Sequence, residues 1–229
     1  MNNTHYRIKE IFYTLQGEGA QAGRPAVFCR FSKCNLWNGR ESGRAEAICD
    51  FCDTDFVGTD GQLGGIYSAA ELINIVVGLW PHYGNDNEGT PYIVCTGGEP
   101  LLQLDSELID SLHQARFEVA VETNGTLPAP DGLDWICVSP KANAKVVLTS
   151  CNELKLVYPQ PLAMPEQFEH IDAQHFYLQP MADYRSEFIA TDRSVHNLSA
   201  NTTAQTLAYC LQHPKWKLSL QTHKLLGID

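Results

Sequence analysis

The chain has 229 residues, a formal net charge of −11 and 44% hydrophobic residues. This length and composition suit a globular enzyme-sized domain. The acidic balance argues against broad nucleic-acid binding and against docking on anionic membranes, because both need a basic surface. The net negative charge is still compatible with a small anionic substrate, since a few local Arg or Lys residues can make the electrostatic potential of a pocket positive.

The chemistry expected of the cysteines depends on the cellular compartment in which the protein works. No apolar run approaches the length of a membrane span, so we expect no membrane partner. The N-terminal MNNTHYRIKE lacks the basic start and apolar stretch of a signal peptide. We therefore expect a cytoplasmic protein. Thiols are kept reduced there, so clustered cysteines favour metal binding or catalysis over disulfides.

The first third of the chain predicts two strands, a long polar segment and a helix. Residues 6–16 and 25–31 are strand-like and rich in β-forming residues, with a glycine-rich turn between them. Residues 32–65 form a long polar loop that holds most of a cysteine cluster, and loops of this length are usually functional or disordered. Ser68 and Glu71 make a capping box, which predicts the start of a helix.

The rest of the chain alternates between strand-like and helical patterns. The strand-like runs are PYIVCT, EVAVETNG, DWICVSPK, NELKLVY, HFYLQP and a closing WKLSLQTHK. The helical runs are SELIDSLHQARF and a segment in which Ala204, Leu207, Ala208 and Leu211 recur at helical spacing. The alternation predicts an α/β fold with a largely parallel sheet, in a single domain of residues 1–229. The helices are too few for a full eightfold barrel.

Four cysteines, Cys29, Cys34, Cys49 and Cys52, lie close together in the sequence. Four residues lie between the first two cysteines, fourteen between the middle two and two between the last two. One interpretation is a structural zinc site with four thiolates; the other is an iron–sulfur site. Cys29 lies inside the strand-like PAVFCRF, where it can serve as a small buried hydrophobe. The spacing alone leaves zinc and iron–sulfur open.

The segment VCTGGEP offers a ligand site that suits the iron–sulfur interpretation. Three thiolates leave one iron of a four-iron cluster without a protein ligand, and an amino-acid-like ligand can chelate that iron. Gly97 and Gly98 follow a strand and let the backbone approach a ligand closely. Glu99 can hold an ammonium group. Taken alone, this segment is better explained as a tight turn that ends a strand.

Several further segments occur in a characteristic order along the chain: FYTLQGEG, CDTDF, TGGEP, VETNGT, VSPK, LQPM and LSLQTHK. Together with the C-x14-C-x2-C spacing, they make the chain resemble the 7-carboxy-7-deazaguanine synthases over nearly its whole length. That family consists of radical S-adenosylmethionine (SAM) enzymes of queuosine and deazapurine biosynthesis. The resemblance implies a shortened, partial (β/α) barrel of the radical SAM type. It also implies a lyase that converts 6-carboxy-5,6,7,8-tetrahydropterin to 7-carboxy-7-deazaguanine and releases ammonia.

The resemblance implies a [4Fe–4S] cluster on Cys34, Cys49 and Cys52, with Cys29 outside the motif. SAM binds the open iron, and one electron splits it into methionine and a 5′-deoxyadenosyl radical. The implied SAM contacts are Phe51, Cys52, Asp53, Gly98, Glu99, Ser139, Pro140, Lys141, Gln179, Pro180, Met181 and Ala182. The family's LQPM is commonly followed by Asp, whereas Ala182 stands at that position here.

The resemblance also implies how the substrate is bound and which partners are needed. The implied substrate-binding residues are Leu15, Gln16, Gly17, Glu18, Arg30, Thr96 and Asp229. Arg30 pairs with the substrate carboxylate, a geometry that guanidinium suits, and Thr54 is the protein ligand of a Mg²⁺ ion. The radical takes hydrogen from C6 before the ring contracts. The implied partners are an electron donor such as flavodoxin or ferredoxin and a second copy in a homodimer.

Two other functions compete with this one. Another radical SAM enzyme, such as a glycyl-radical activase, generally keeps a three-residue first cysteine spacing and lacks LQGEG and LSLQTHK. A zinc-stabilised binding module predicts a colourless protein with one zinc and no response to SAM. In VETNGT, Glu122 and Asn124 are additional candidates for the wall of the pocket.

Overall fold

The structure is a computed structural model that describes residues 5–85, 89–182 and 200–228. Asp229, one of the predicted substrate contacts, lies outside these residues. The described strands are β1 (Tyr6–Leu15), β2 (Pro25–Phe31), β3 (Gly65–Tyr67), β4 (Tyr92–Gly97), β5 (Glu118–Thr123), β6 (Trp135–Val138), β7 (Ser150–Tyr158), β8 (Asp172–Pro180) and β9 (Lys217–Leu218). The described α-helices are α1 (Ala69–Leu79), α2 (Ser106–Gln114), α3 (Ala200–Gln212) and α4 (Thr222–Leu226).

All nine strands belong to one sheet, in the order β3-β1-β2-β4-β5-β6-β7-β8-β9. From β2 to β9 every neighbouring pair is parallel, and β1 runs antiparallel to both β2 and β3. Among the described residues the sheet is open, with β3 and β9 at its two edges. The predicted α/β fold with a largely parallel sheet is confirmed.

N-terminal capping residues determine where the first two helices begin. The Ser68 hydroxyl accepts a hydrogen bond from the Glu71 N–H at 3.4 Å, and the Glu71 carboxylate accepts one from the Ser68 N–H at 2.8 Å. This confirms the predicted capping box of α1. At the start of α2, the Asp105 carboxylate accepts from the Leu108 N–H at 3.0 Å. The same carboxylate oxygen accepts from the Tyr6 hydroxyl at 2.8 Å, which fastens α2 to β1.

The helices α1, α2 and α3 cover one face of the sheet and leave the other face for a cavity. Successive side chains of a strand point to opposite faces. Residues such as Ile93, Val119 and Leu154 belong to the hydrophobic core, while Thr96, Glu122 and Lys155 line the cavity. The helices α1 and α2 pack near β1, β3 and β5, and α3 packs on β8 and β9. No helix in the described ranges is long and apolar enough to span a membrane.

The structure differs from the predicted elements at both ends of the sheet. The edge strand β3 was not predicted. It begins at the last residue of the predicted polar loop, and its three residues are too few to show the alternation of polar and apolar side chains that marks a strand. The closing strand is limited to Lys217–Leu218, and Thr222–Leu226 is helical. The prediction of one continuous strand over WKLSLQTHK was wrong. After Leu218 the chain leaves the sheet, and Thr222 bonds to the turn that follows β1. Its N–H and its hydroxyl both donate to the Gly17 carbonyl at 2.9 Å.

Candidate active site

A cavity of about 380 Å³ lies at the carboxyl ends of the parallel strands. Its walls come from β1, β2 and β4 to β8, from the cysteine segment that follows β2, and from α4. Open parallel α/β sheets bind their ligands at this edge, because the carboxyl ends of the strands and the loops after them meet there.

Most of the residues predicted from the resemblance line this one cavity. They are Leu15, Gln16, Gly17, Glu18, Arg30, Cys34, Cys49, Phe51, Cys52, Asp53, Thr54, Thr96, Gly98, Ser139, Lys141, Gln179, Pro180, Met181 and Ala182. Two predicted residues, Glu99 and Pro140, do not line it. The cavity therefore brings the candidate cluster, SAM and substrate positions together, while their individual roles stay predictions.

Glu99 lies behind the cavity wall, where it joins β4 to β5. It is fully buried, and its carboxylate accepts hydrogen bonds from the Thr123 hydroxyl at 2.8 Å and from the Asn124 N–H at 2.8 Å. Burial raises the pKa of this carboxyl, against these hydrogen bonds. The Asn124 side chain in turn donates to Asn35 at 2.9 Å, next to Cys34. In this structure Glu99 supports the cysteine segment through the hydrogen bonds of Asn124.

The three predicted cluster cysteines share the cavity wall. The Leu36 N–H donates to the Cys34 sulfur at 3.4 Å, and burial raises the pKa of the Cys34 thiol. A hydrogen bond between the thiols lowers the pKa of Cys52 to about 7, and the same contact raises that of Cys49. Cys29, in contrast, is fully buried in β2 opposite Cys95 of β4, as expected of a cysteine outside the motif.

The three thiols fit an iron–sulfur cluster by their ligand type. Among the described residues no group of three or more His, Cys, Asp or Glu side chains is close enough to hold one ion. Cys34 and Cys49 both interact with Cys52, and all three face one cavity. The donor set of thiolates is the one that iron–sulfur clusters use.

The glycines of TGGEP pack closely against the chain from Phe31 to Cys34, and their approach to a ligand stays a prediction. A Cβ on Gly98 would lie 2.8 Å from the Cys34 Cβ and would overlap the Lys33 carbonyl oxygen. Gly97 has a φ of 138°, a backbone conformation that side chains rarely adopt. The Glu99 N–H donates to the Lys33 carbonyl at 2.9 Å. The end of β4 therefore sets the position of the Cys34 backbone directly.

Charged and amide side chains cluster on the strands away from the cysteines. The Lys155 ammonium lies 2.8 Å from a Glu18 oxygen and 3.2 Å from a Glu122 oxygen. The Gln16 amide donates to the same Glu122 oxygen at 3.1 Å. Arg30, predicted to bind the substrate carboxylate, contacts Glu10 at 2.7 Å.

Lys155 was missed by sequence reasoning. A signal for it exists: Glu153 and Lys155 alternate with Leu154 and Leu156 in a strand that is buried on both faces. Charged residues are almost never fully buried unless they are paired, so this alternation marks a paired interior site. Glu122, noted only as a candidate, proves to be one of the partners.

An open, mostly parallel α/β sheet with three thiols on the wall of a cavity is the arrangement expected of a radical SAM enzyme. The fold is similar to the crystal structure of QueE from Escherichia coli, with a TM-score of 0.61 and 24% sequence identity. That similarity covers 95% of this chain and 94% of the other. The predicted shortened, partial barrel is thereby confirmed. No family model matches the chain.

Curated relatives identify the family within that class. The chain is 58% identical to the 7-carboxy-7-deazaguanine synthase of Bradyrhizobium diazoefficiens and 56% identical to that of Bordetella pertussis; each match covers 97% of this chain and 99% of the relative. A relative of the same name from Bacteroides thetaiotaomicron is 40% identical, covering 97% and 98%. The chain belongs to the 7-carboxy-7-deazaguanine synthase family of radical SAM lyases, as the resemblance predicted. Neither alternative function has a counterpart among these relatives.

Proposed function

We propose that the chain converts 6-carboxy-5,6,7,8-tetrahydropterin to 7-carboxy-7-deazaguanine and releases ammonia. The observation that carries this proposal is the single cavity shared by the cysteine triad and the substrate-like positions. These residues come from separate segments of the chain, and their convergence supports one combined site. The name of the relatives fits the same product.

In this proposal Cys34, Cys49 and Cys52 hold a [4Fe–4S] cluster, and Thr54 provides the protein ligand of a Mg²⁺ ion. The cluster and SAM supply a 5′-deoxyadenosyl radical for hydrogen abstraction when they are bound. Phe51, Asp53 and Gly98 border the thiols and shape the space beside them. Thr54 is half-buried on the same wall. Magnesium usually takes few protein ligands and keeps several waters, which suits one hydroxyl.

The protein recognises a pterin by charge and hydrogen bonding. The substrate carboxylate matches the Arg30 guanidinium, which would then exchange or share its contact with Glu10. The pterin ring presents N–H donors along its pyrimidine edge, and ionised Glu18 and Glu122 are acceptors only. Gln16 and Thr96 add amide and hydroxyl groups to the same wall.

The proposal includes the partners that the resemblance implies. A one-electron donor such as flavodoxin or ferredoxin reduces the enzyme in the cytoplasm, and the working form is a homodimer. A colourless preparation that contains only zinc would instead support the alternative of a zinc-stabilised binding module.

The proposal is tested by incubating reconstituted, reduced protein with SAM and carboxytetrahydropterin under anaerobic conditions. Mass spectrometry of the mixture should show 7-carboxy-7-deazaguanine. The matched control is Cys34→Ala, which should form no product. Consumption of SAM by the parent without any deazaguanine would refute the proposed substrate.

A further inference from the structure

Lys155 lines the cavity and has no role in the proposed function. Only 5% of the residue is exposed. Its ammonium contacts Glu18, on the turn after β1, at 2.8 Å and Glu122, on β5, at 3.2 Å. A buried cation of this kind persists only if it is paired and hydrogen-bonded. The two carboxylates satisfy that need, and both also line the cavity.

The same contacts hold the two carboxylates in place. One oxygen of Glu18 faces Lys155, while the other accepts from the Gln179 and Gln221 amides at 3.1 and 2.9 Å. The Glu122 oxygen that faces Lys155 also accepts from the Gln16 amide at 3.1 Å. Each carboxylate is therefore held by a cation and by at least one amide.

The neighbour of Lys155 on the same face of β7 supports the turn that carries Glu18. Glu153 is buried and accepts a hydrogen bond from the Ala20 N–H at 2.8 Å. Gly19 packs so closely on this carboxylate that an added Cβ would overlap it. From the other side, the Ser219 hydroxyl accepts from the Gly19 N–H at 2.9 Å. β7 thus fixes both the backbone of this turn and the Glu18 side chain.

We propose that Lys155 is a positioning residue that keeps Glu18 ionised and holds Glu18 and Glu122 aimed into the cavity, so that both can accept hydrogen bonds from the substrate's N–H groups. The inference rests on the proposed function, since the ligand is the carboxytetrahydropterin. Without the cation, two partly buried carboxylates would share one site, and their proximity would favour protonation of Glu18. A protonated carboxyl presents a donor where the substrate needs an acceptor.

The electrostatics of the site agree with this role. Burial alone would raise the pKa of Glu18, but Lys155 and the Gln221 amide bring it down to about 2. Burial also opposes the charge of Lys155, yet the surrounding acidic groups raise its pKa well above the usual value. The other titratable groups facing this trio are Glu153 on β7, Cys137 on β6, Tyr92 on β4 and His223 on α4.

The test is the pH dependence of substrate binding by Lys155→Met. Binding is measured anaerobically by calorimetry on the reconstituted enzyme without reductant, so no turnover occurs. The readout is the ratio of variant to parent dissociation constants, in which the titration of the substrate and of His223 cancels. We expect the ratio to rise as pH falls from 9 to 6, because each pH unit below the pKa that Glu18 takes without its cation removes about tenfold of the ionised carboxylate.

Two matched variants separate charge from packing. Lys145→Met makes the same change at an exposed lysine outside the cavity, and its ratio should stay near one. Lys155→Arg keeps the charge, so its ratio should not vary with pH even if affinity falls. If Lys155→Met does not fold, Lys155→Met/Glu122→Gln is compared with Glu122→Gln; a smaller rise in the same direction is expected, because Glu18 has lost its cation but no longer shares the site with Glu122.

Two results would overturn the inference while the proposed function stands. One is a Lys155→Met enzyme that binds the pterin within twofold of the parent at pH 6. The other is a weakened affinity with the same ratio at every pH, which would make Lys155 a packing residue only. A parent enzyme that binds no carboxytetrahydropterin at all would instead refute the proposed function, and the inference with it.

Discussion

Gly98→Ala tests whether the end of β4 sets the position of the cluster cysteines. The substitution removes no ligand and adds one methyl group 2.8 Å from the Cys34 Cβ and 2.6 Å from the Lys33 carbonyl carbon. Since carbon atoms pack at about 3.5 Å, the Cys34 backbone would have to move by about 0.7 Å. Overpacking of this kind costs about 1–3 kcal/mol.

The matched control is Gly78→Ala in α1, where an added Cβ meets no atom within 4 Å. Alanine should stabilise that helix by about 0.5–1 kcal/mol. In a chain of this size each kcal/mol shifts the melting temperature by about 2–4 °C. Gly98→Ala should therefore melt lower than the parent, and Gly78→Ala slightly higher.

The decisive assay is iron and sulfide content after anaerobic reconstitution. We expect Gly98→Ala to bind less iron than the parent at a temperature where both are folded, and Gly78→Ala to bind the parental amount. If Gly98→Ala melts at the parental temperature and carries the full cluster, the cysteine segment does not depend on the end of β4, and the reasoning is wrong.

Three further predictions follow from the site. Replacing any one of the three cluster cysteines by Ala should abolish activity, whereas Cys29→Ala should keep its iron and sulfide; loss of iron from Cys29→Ala would show that it is a ligand. Thr54→Ala should lower activity and change its magnesium dependence, and an unchanged magnesium response would remove Thr54 from the site. Glu18 has a folded pKa of about 2 against 4.5 unfolded, so only the unfolded chain takes up its proton as pH falls below 5. Urea denaturation should show the parent losing about 1 kcal/mol more than Glu18→Gln between pH 6 and pH 4, and equal losses would contradict the ion pair.

Features with a local physical cause could be predicted from the sequence. The capping box of Ser68 and Glu71 needs only neighbouring residues, and it starts α1 where the pattern indicates. The alternation of strands and helices predicts a parallel sheet, whose carboxyl ends must meet at one edge. The motifs placed at those ends, such as Thr96 and Gln179, therefore meet in one cavity.

Features that depend on distant partners could not be predicted in this way. The last strand stops at Leu218, and the chain then turns so that Thr222 bonds to Gly17. The sequence of residues around Thr222 does not indicate this distant contact. Leu207 and Leu211 follow the helical spacing correctly, yet they are exposed at 46% and 75%, while Thr206 faces the core. Spacing predicts the helix but cannot tell which face the sheet covers.

The cluster is tested by the electron paramagnetic resonance spectrum of the reduced protein with and without SAM. We predict a [4Fe–4S] signal that changes when SAM is added, because three thiolates leave one iron free to bind it. Protein prepared without oxygen that contains only zinc, or iron whose spectrum is the same with and without SAM, would contradict this prediction.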